Sequence, residues 1–147
     1  MTSRFPLALA TVALILAGTV STLPALGGAQ PVARTAILQR FASEAKALDA
    51  SFAGFSAERG AAFYAARQSG GGIDTPSCTT CHGPSPTDKG QTRAGKPIEP
   101  MAVSVIPDRF TDPAKVDKWF ERNCQSVLGR VCTPLEKGDV LTFLIGR

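Results

Sequence analysis

Two cysteines and the only histidine of the chain stand together in the segment Cys78-Thr79-Thr80-Cys81-His82. Thiols at this spacing can each add to one vinyl group of the same porphyrin, and the adjoining imidazole then lies beneath the iron. The pattern Cys-x-x-Cys-His is the attachment signature of a c-type haem. The sequence therefore predicts one covalent haem c, held by Cys78 and Cys81, with His82 as an axial iron ligand.

Two other uses of these cysteines remain open. A thioredoxin-like redox couple has the same Cys-x-x-Cys spacing, but such couples belong to βαβ units and the surrounding sequence does not indicate one. A zinc site could combine the pair with Cys124 and Cys132. Those two are farther apart than the spacing of about two to four residues usual within a zinc half-site. Haem attachment is the interpretation that also uses the histidine.

The first 29 residues have the features of a secretory signal. Arg4 supplies the positive start, residues 7–16 form an apolar core, and Gly27-Gly28-Ala29 offers small residues for cleavage. An uncleaved membrane anchor is the alternative, but Gly18 and Pro24 interrupt the apolar run before it reaches the ~20 residues of a bilayer span. We expect cleavage near Ala29, export to the periplasm, and no membrane span in the mature protein.

The mature chain of about 118 residues is long enough for one domain with one core. Removal of residues 1–29 takes away Arg4 and no acid, so the formal net charge falls from +4 to +3. Two haem propionates would subtract about two more charges. Because the basic residues are scattered and form no stripe, nucleic acid is not an expected partner.

Helices are expected at both ends of the mature chain. Apolar residues recur at three- and four-residue intervals over residues 35–52, a pattern typical of an amphipathic helix. Ser56 is the expected N-cap of a second helix over residues 57–67, in which Gly60 would permit a close helix crossing. Gly70-Gly71-Gly72 then predicts a flexible loop before the haem motif. Residues 83–113 contain six prolines and are expected to form a loop around the porphyrin.

Two later helices have clear start signals. Asp112 followed by Pro113 opens a helix that carries Val116, Trp119 and Phe120 on one face and is expected to end near residues 122–124. Thr133-Pro134-Leu135-Glu136 is a capping box and opens the last helix. The predicted fold is all-α, a class I cytochrome c-like helical domain over residues 56–147. Residues 30–55 would form an additional N-terminal helix.

The four cysteines and the single remaining methionine set the other site predictions. With Cys78 and Cys81 bound to haem, Cys124 and Cys132 can form a disulfide in an oxidising compartment, or remain two unpaired buried thiols. Such a bridge would add on the order of 2–3 kcal/mol to the free energy of unfolding. Met101 could be the sixth iron ligand of an electron carrier, or a loop residue that fills a gap beside the haem.

Basic residues in the long loop are candidates for propionate contacts. They are Arg93, Lys96 and Arg109, and solvated surface charge is the alternative for each. Besides the two thiols and His82, the predicted haem contacts include Arg93 and Trp119. Peroxidase-type catalysis needs a distal acid or base, and no second histidine exists to serve. We therefore do not expect an enzyme.

The stretch from Thr75 to the last helix resembles the sphaeroides haem protein type of class I cytochrome c. The matching segments occur in order and cover about half of the chain. The haem motif is common to many families, whereas Arg-Asn-Cys followed by a second cysteine before Thr-Pro is specific to this one. The segments are residues 75–83, Gly90-Gln91-Thr92-Arg93, Gly95-Lys96, residues 107–112, Lys118-Trp119, Arg122-Asn123-Cys124, Gly129-Arg130 and Cys132-Thr133-Pro134.

This resemblance implies a distal iron ligand and a function. Asn123 would occupy the sixth iron position in the oxidised protein, braced by a Cys124–Cys132 disulfide. An amide oxygen binds ferrous iron weakly, so Asn123 would leave on reduction and admit diatomic ligands such as oxygen and nitric oxide. The electron donor would be another exported or membrane-bound cytochrome. Met101 departs from the family pattern, and a conventional Met101-ligated electron carrier remains the alternative.

Overall fold

This computed structural model describes residues 29–147 and Met1, so the predicted secretion signal lies outside the described residues apart from its end. The expected all-α class is confirmed, with one short hairpin added. Within residues 29–147, no helix has both the length and the apolar character that a membrane crossing requires. The elements are α1 (Ala29–Leu48), α2 (Ala57–Ala65), α3 (Thr79–His82), β1 (Gly90–Gln91), β2 (Pro97–Ile98), α4 (Pro113–Leu128) and α5 (Pro134–Ile145).

Helix α1 starts and stops earlier than the predicted range of residues 35–52. Pro31 lies in its first turn, where a missing amide hydrogen is tolerated. The helix ends at Leu48 because the Asp49 carboxylate accepts hydrogen bonds from the backbone amide and the hydroxyl of Ser51, at 2.8 and 2.6 Å. These side-chain hydrogen bonds compete with the backbone hydrogen bonds of a helix, so the chain turns before Phe52.

The apolar face of α1 forms part of the main core. Ile37 and Phe41 are buried against Leu141 of α5 and Val116 of α4. Phe41 also meets Phe120 edge-on, with ring centroids 6.1 Å apart. The sequence left open whether this helix packs on the haem domain or extends away from it, and the structure shows that it packs.

Helix α2 crosses α5 at very close range. Its predicted Ser56 N-cap is confirmed, since the Ser56 hydroxyl accepts a hydrogen bond from the Arg59 amide at 3.1 Å. The helix ends at Ala65, two residues before the predicted end. Gly60 faces the Asp139 carbonyl of α5, and a Cβ atom at this position would collide with that carbonyl. Glycine is therefore required by the approach of two backbones.

Replacement of Gly60 by alanine should destabilise the fold although alanine is the better helix former by ~1 kcal/mol. The added methyl group forces α5 away from α2, so we expect the free energy of unfolding to fall by about 2–3 kcal/mol net. Denaturant unfolding followed by circular dichroism measures this change. Ala62→Gln, at an exposed position of the same helix, is the control and should change the value by less than about 0.5 kcal/mol. A Gly60→Ala protein more stable than the wild type would contradict the crossing.

The start signals of the last two helices are confirmed. Asp112 caps α4 by accepting a hydrogen bond from the Lys115 amide, and Thr133 with Glu136 forms the predicted capping box of α5. The predicted end of α4 near residues 122–124 is wrong, because the helix continues to Leu128. Its true stop is Gly129, which has φ +67° and donates its amide hydrogen to the Gln125 carbonyl.

Candidate haem-binding site

The Cys-x-x-Cys-His segment folds into a single helical turn. Cys78 has helical backbone angles and caps α3, and its carbonyl accepts hydrogen bonds from the amides of Cys81 and His82 at 3.3 and 3.0 Å. Residues three and four apart share one side of a helix. The turn therefore presents two thiols and the imidazole on one side, which is the arrangement that covalent attachment of a porphyrin requires.

The environment of the Cys78 thiol does not favour a redox couple. Cys78 and Cys81 are free and half-buried, and burial raises the pKa of Cys78 to about 11. Reactive Cys-x-x-Cys pairs instead have a thiolate stabilised at neutral pH. The zinc alternative also fails, because Cys124 and Cys132 are bonded to each other.

The imidazole of His82 has the environment of a metal ligand. Its Nδ1 atom is buried and has no hydrogen-bond partner among the described residues. Burial lowers the pKa of His82, and the positive charge of Arg109 lowers it further. A neutral imidazole with an unpartnered ring nitrogen fits coordination to haem iron.

Two contacts fix the motif against the rest of the domain. The Tyr64 hydroxyl of α2 donates a hydrogen bond to the Gly83 carbonyl at 3.1 Å, directly after His82. On another side, β1 passes so close that a Cβ atom on Gly90 would collide with the Cys81 carbonyl. These contacts hold the attachment turn rigidly, which favours a fixed haem orientation.

The glycine run before the motif is docked and is not the flexible loop that the sequence predicted. The Gly72 amide donates to the Ser126 carbonyl of α4 at 2.9 Å, and the Thr75 hydroxyl donates to the same oxygen at 2.9 Å. Cβ atoms on Gly70 or Gly71 would collide with the backbone of the last α4 turn. Glycine serves here for close approach of two backbones.

Asn123 lies within α4, and the prediction that it stands at a helix end is wrong. Its side chain is half-buried, five positions before the last helical residue, Leu128. Trp119 lies one helical turn earlier on the same face and is 52% exposed. The cations of Lys118 and Arg122 each lie 5.6 Å from the Trp119 ring centroid.

The disulfide predicted beside Asn123 is present. Cys124 in α4 is bonded to Cys132, with their Cα atoms 5.6 Å apart, and both residues are buried. They form a cluster with Val127 and Leu128, against which Phe63 and Phe120 pack. The bridge ties the middle of α4 to the segment that leads into α5.

Met101 is half-buried against apolar residues of α2 and α5. Its side chain packs on a cluster formed by Tyr64, Val140, Phe143 and Leu144. Its backbone amide donates to the Pro86 carbonyl at 2.8 Å. This environment agrees with the alternative in which the methionine fills a gap in the packing.

The three candidate propionate contacts lie in different environments. Arg93 is exposed and forms an ion pair with Asp74, with its nitrogen 3.0 Å from the carboxylate oxygen. Lys96 is exposed beside the hairpin. Arg109 is half-buried and donates to the carbonyls of Pro100 and Glu99, at 2.9 Å each. Arg109 therefore braces the backbone that leads into Met101.

Two buried polar residues were missed by the sequence analysis. Arg34 of α1 is 7% exposed and donates to the carbonyls of Arg109 and Pro107. Asp139 of α5 is 4% exposed and accepts hydrogen bonds from the Ser56 amide and the Arg59 guanidinium at 2.7 Å. The available signal for Asp139 was its position in the predicted last helix, one turn before Phe143 on the same face. Arg34 precedes the first predicted helix, so no signal in the sequence indicated its burial.

Comparison with known proteins gives one family and two close relatives. A family model described as "Domain of unknown function (DUF1924)" matches residues 50–144. The cytochrome c-type protein SHP of Cereibacter sphaeroides is 61% identical over 88 residues, which are 60% of this chain and 68% of that protein. Cytochrome c'' of Methylophilus methylotrophus is 38% identical over 69 residues, which are 46% of this chain and 48% of that protein.

Solved structures agree with these relationships. The structure of oxidised SHP, described as an oxygen-binding cytochrome c, matches with a TM-score of 0.72 and 49% identity over 78% of this chain and 96% of that chain. The crystal structure of oxidised cytochrome c'' matches with a TM-score of 0.66 and 27% identity over 78% of this chain and 94% of that chain. The predicted resemblance and the c-type cytochrome fold are both confirmed.

Proposed function

The chain belongs to the DUF1924 family and to the c-type cytochromes represented by SHP, it carries covalent haem c, and on that premise we propose that it is an exported, redox-active, ligand-binding cytochrome. Cys78 and Cys81 hold the single haem, and His82 is its permanent axial ligand. Asn123 would bind the iron in the oxidised protein and would release it on reduction. The protein would then be able to bind a small diatomic molecule such as oxygen or nitric oxide.

The bound haem supplies an iron centre that exchanges one electron and offers a coordination position to a small ligand. The protein residues determine which ligands that position can take. Burial lowers the pKa of His82, which favours the neutral imidazole that a lasting iron ligand needs. The amide oxygen of Asn123 is uncharged and a weak donor, so it can be displaced when the positive charge of the centre falls.

The surroundings of Asn123 carry this proposal. Its half-buried side chain lies on a helix that the Cys124–Cys132 bridge holds in place. Trp119, one turn before it on the same face, is proposed to contact the haem on that side. Met101, the competing ligand, packs against the apolar cluster of α2 and α5, and Cys78 packs against the same cluster. A conventional Met101-ligated electron carrier remains the second candidate, because methionine is a common ligand in cytochromes c.

Replacement of Met101 by leucine distinguishes the two candidates. The substitution nearly conserves volume, so the packing is largely kept. We expect unchanged absorption spectra in both oxidation states and a carbon monoxide dissociation constant for the reduced protein within about 2-fold of the wild type. Ile106→Leu, at another half-buried position of the same loop, is the matched control. The proposal would be overturned if the reduced wild type and Ile106→Leu were low-spin and the reduced Met101→Leu protein were not. That result would support methionine ligation.

The same proposal covers the setting of the protein. Export through the signal of residues 1–29 would bring the chain to the periplasm, where haem c is attached and the disulfide is stable. Another exported or membrane-bound cytochrome would deliver the electron. We do not propose an enzymatic reaction, since His82 is committed to iron and no second histidine exists for proton transfer.

A further inference from the structure

We infer that Thr75 is a positioning residue for Asn123, acting through a contact that we call the α4 clamp. The clamp consists of residues 70–72 and Thr75 on one side and residues 126–129 on the other. It connects the segment that leads into the haem motif with the end of the helix that bears Asn123. The inference rests on the proposed role of Asn123 as the distal ligand.

The clamp satisfies polar groups that a helix end leaves unpaired. The last four carbonyls of a helix have no partner within it. In α4 the Ser126 carbonyl accepts hydrogen bonds from the Gly72 amide and the Thr75 hydroxyl, each at 2.9 Å. Thr75 is 9% exposed, so its hydroxyl works in a largely dry environment where a hydrogen bond is strongly directional.

The two sides of the clamp meet backbone to backbone. Gly70 lies against the Leu128 carbonyl, Gly71 lies against the Ser126 carbonyl, and Gly129 in turn lies against Gly70. No side chain could fit at these three contacts without moving α4. A displacement of the last turn of α4 is therefore transmitted directly to the segment that holds the haem.

The clamp acts close to the distal ligand. Ser126 follows Asn123 by three residues, which is less than one turn of helix. Cys124, which is bonded to Cys132, lies between these two residues in the sequence. One covalent tether and one polar tether thus restrain the same helical turn. The covalent tether fixes α4 to the start of α5, and the clamp fixes α4 to residues 72–75, directly before Cys78.

A residue biases an equilibrium only if it favours one of the two states over the other, through contacts, strain or entropy. Ligation of the iron by Asn123 would require the last turns of α4 at one position, and the clamp restrains those turns. The open form would not depend on that position, so the restraint would favour the Asn123-bound form. Thr75 therefore stabilises the oxidised, Asn123-bound form over the open form.

Variants of Thr75 test this inference on the holoprotein, with imidazole as the competing ligand of the oxidised form. Thr75→Val keeps the shape and removes the hydroxyl. Thr75→Ala and Thr75→Ser both remove the methyl group, and only the serine variant keeps the hydroxyl. Ser126→Ala is the control, because the clamp uses the Ser126 backbone carbonyl and not its side chain.

We expect Thr75→Val and Thr75→Ala to bind imidazole about 2- to 10-fold more tightly than the wild type, which is the effect of one hydrogen bond. Thr75→Ser and Ser126→Ala should bind it as the wild type does. Carbon monoxide affinity of the reduced protein should stay the same in all four variants, because Asn123 has already left. A general loss of stability would not change ligand affinity in the oxidised protein alone.

Two results would overturn the inference. One is wild-type imidazole affinity in both Thr75→Val and Thr75→Ala, and the other is equal tightening in the serine and alanine variants. Asn123→Ala, measured beside them, separates this failure from failure of the proposed function. If Asn123→Ala tightens imidazole binding and the Thr75 variants do not, only the inference about Thr75 is lost. If Asn123→Ala has no effect, Asn123 is not the distal ligand.

Discussion

Serine at both Cys78 and Cys81 is expected to abolish covalent haem attachment completely. A serine hydroxyl does not add to a vinyl group, whereas the two thiols of the α3 turn lie on the same side as the imidazole of His82. Each single variant should retain one thioether and yield a protein with haem still attached. Acid extraction into organic solvent should remove all haem from the double variant and none from the wild type, and mass spectrometry of the intact chain should agree.

The other cysteine pair supplies the matched control for this experiment. Serine at both Cys124 and Cys132 removes two sulfur atoms of the same chemistry, but these form the disulfide. That protein should keep its covalent haem and lose about 2–3 kcal/mol in its free energy of unfolding. Covalent haem in the Cys78/Cys81 double variant would show that attachment uses other residues.

Replacement of Asn123 by alanine should open the oxidised protein to external ligands. If Asn123 occupies the distal position in about nine molecules out of ten, its removal tightens imidazole binding about 10-fold. The oxidised spectrum should also change, because the sixth position then contains water or stays empty. Spectrophotometric titration of the oxidised protein measures both effects. The reduced protein should bind carbon monoxide as the wild type does, since Asn123 has left in that state.

Gln125→Ala is the control for this prediction. Gln125 is exposed on the same helix, two residues beyond Asn123. Its replacement by alanine also removes an amide side chain, but from a different face of α4. Its imidazole affinity should equal that of the wild type. An Asn123→Ala protein with a wild-type oxidised spectrum would exclude Asn123 as the distal ligand, and Met101 would become the residue to replace next.

Local signals in the sequence predicted much of the helical framework correctly. Ser56, Asp112 and Thr133 each lie before a helix and accept the hydrogen bond expected of an N-cap. Such caps depend on neighbouring residues only, so they can be read without knowledge of the fold. Gly60 was also identified correctly as a point of close helix approach, because a glycine within a helix has a cost that packing must offset.

Features that depend on distant contacts were not predictable in the same way. The glycines of residues 70–72 suggested flexibility, whereas the structure uses them against the end of α4, more than fifty residues later. Arg34 and Asp139 are buried because backbone carbonyls, an amide and a guanidinium from other segments meet them. The end of α4 is different, since Gly129 is a local stop signal five residues beyond the predicted end near residues 122–124.

The absorption spectrum of the purified wild-type holoprotein, reduced with dithionite and then exposed to carbon monoxide, tests the central claim most directly. Our account predicts that reduction yields a high-spin spectrum and that carbon monoxide converts it promptly to a carbonyl form. Both changes follow if Asn123 leaves the iron on reduction. A low-spin reduced spectrum that carbon monoxide does not alter would contradict the account, because it would show that a strong second ligand stays bound.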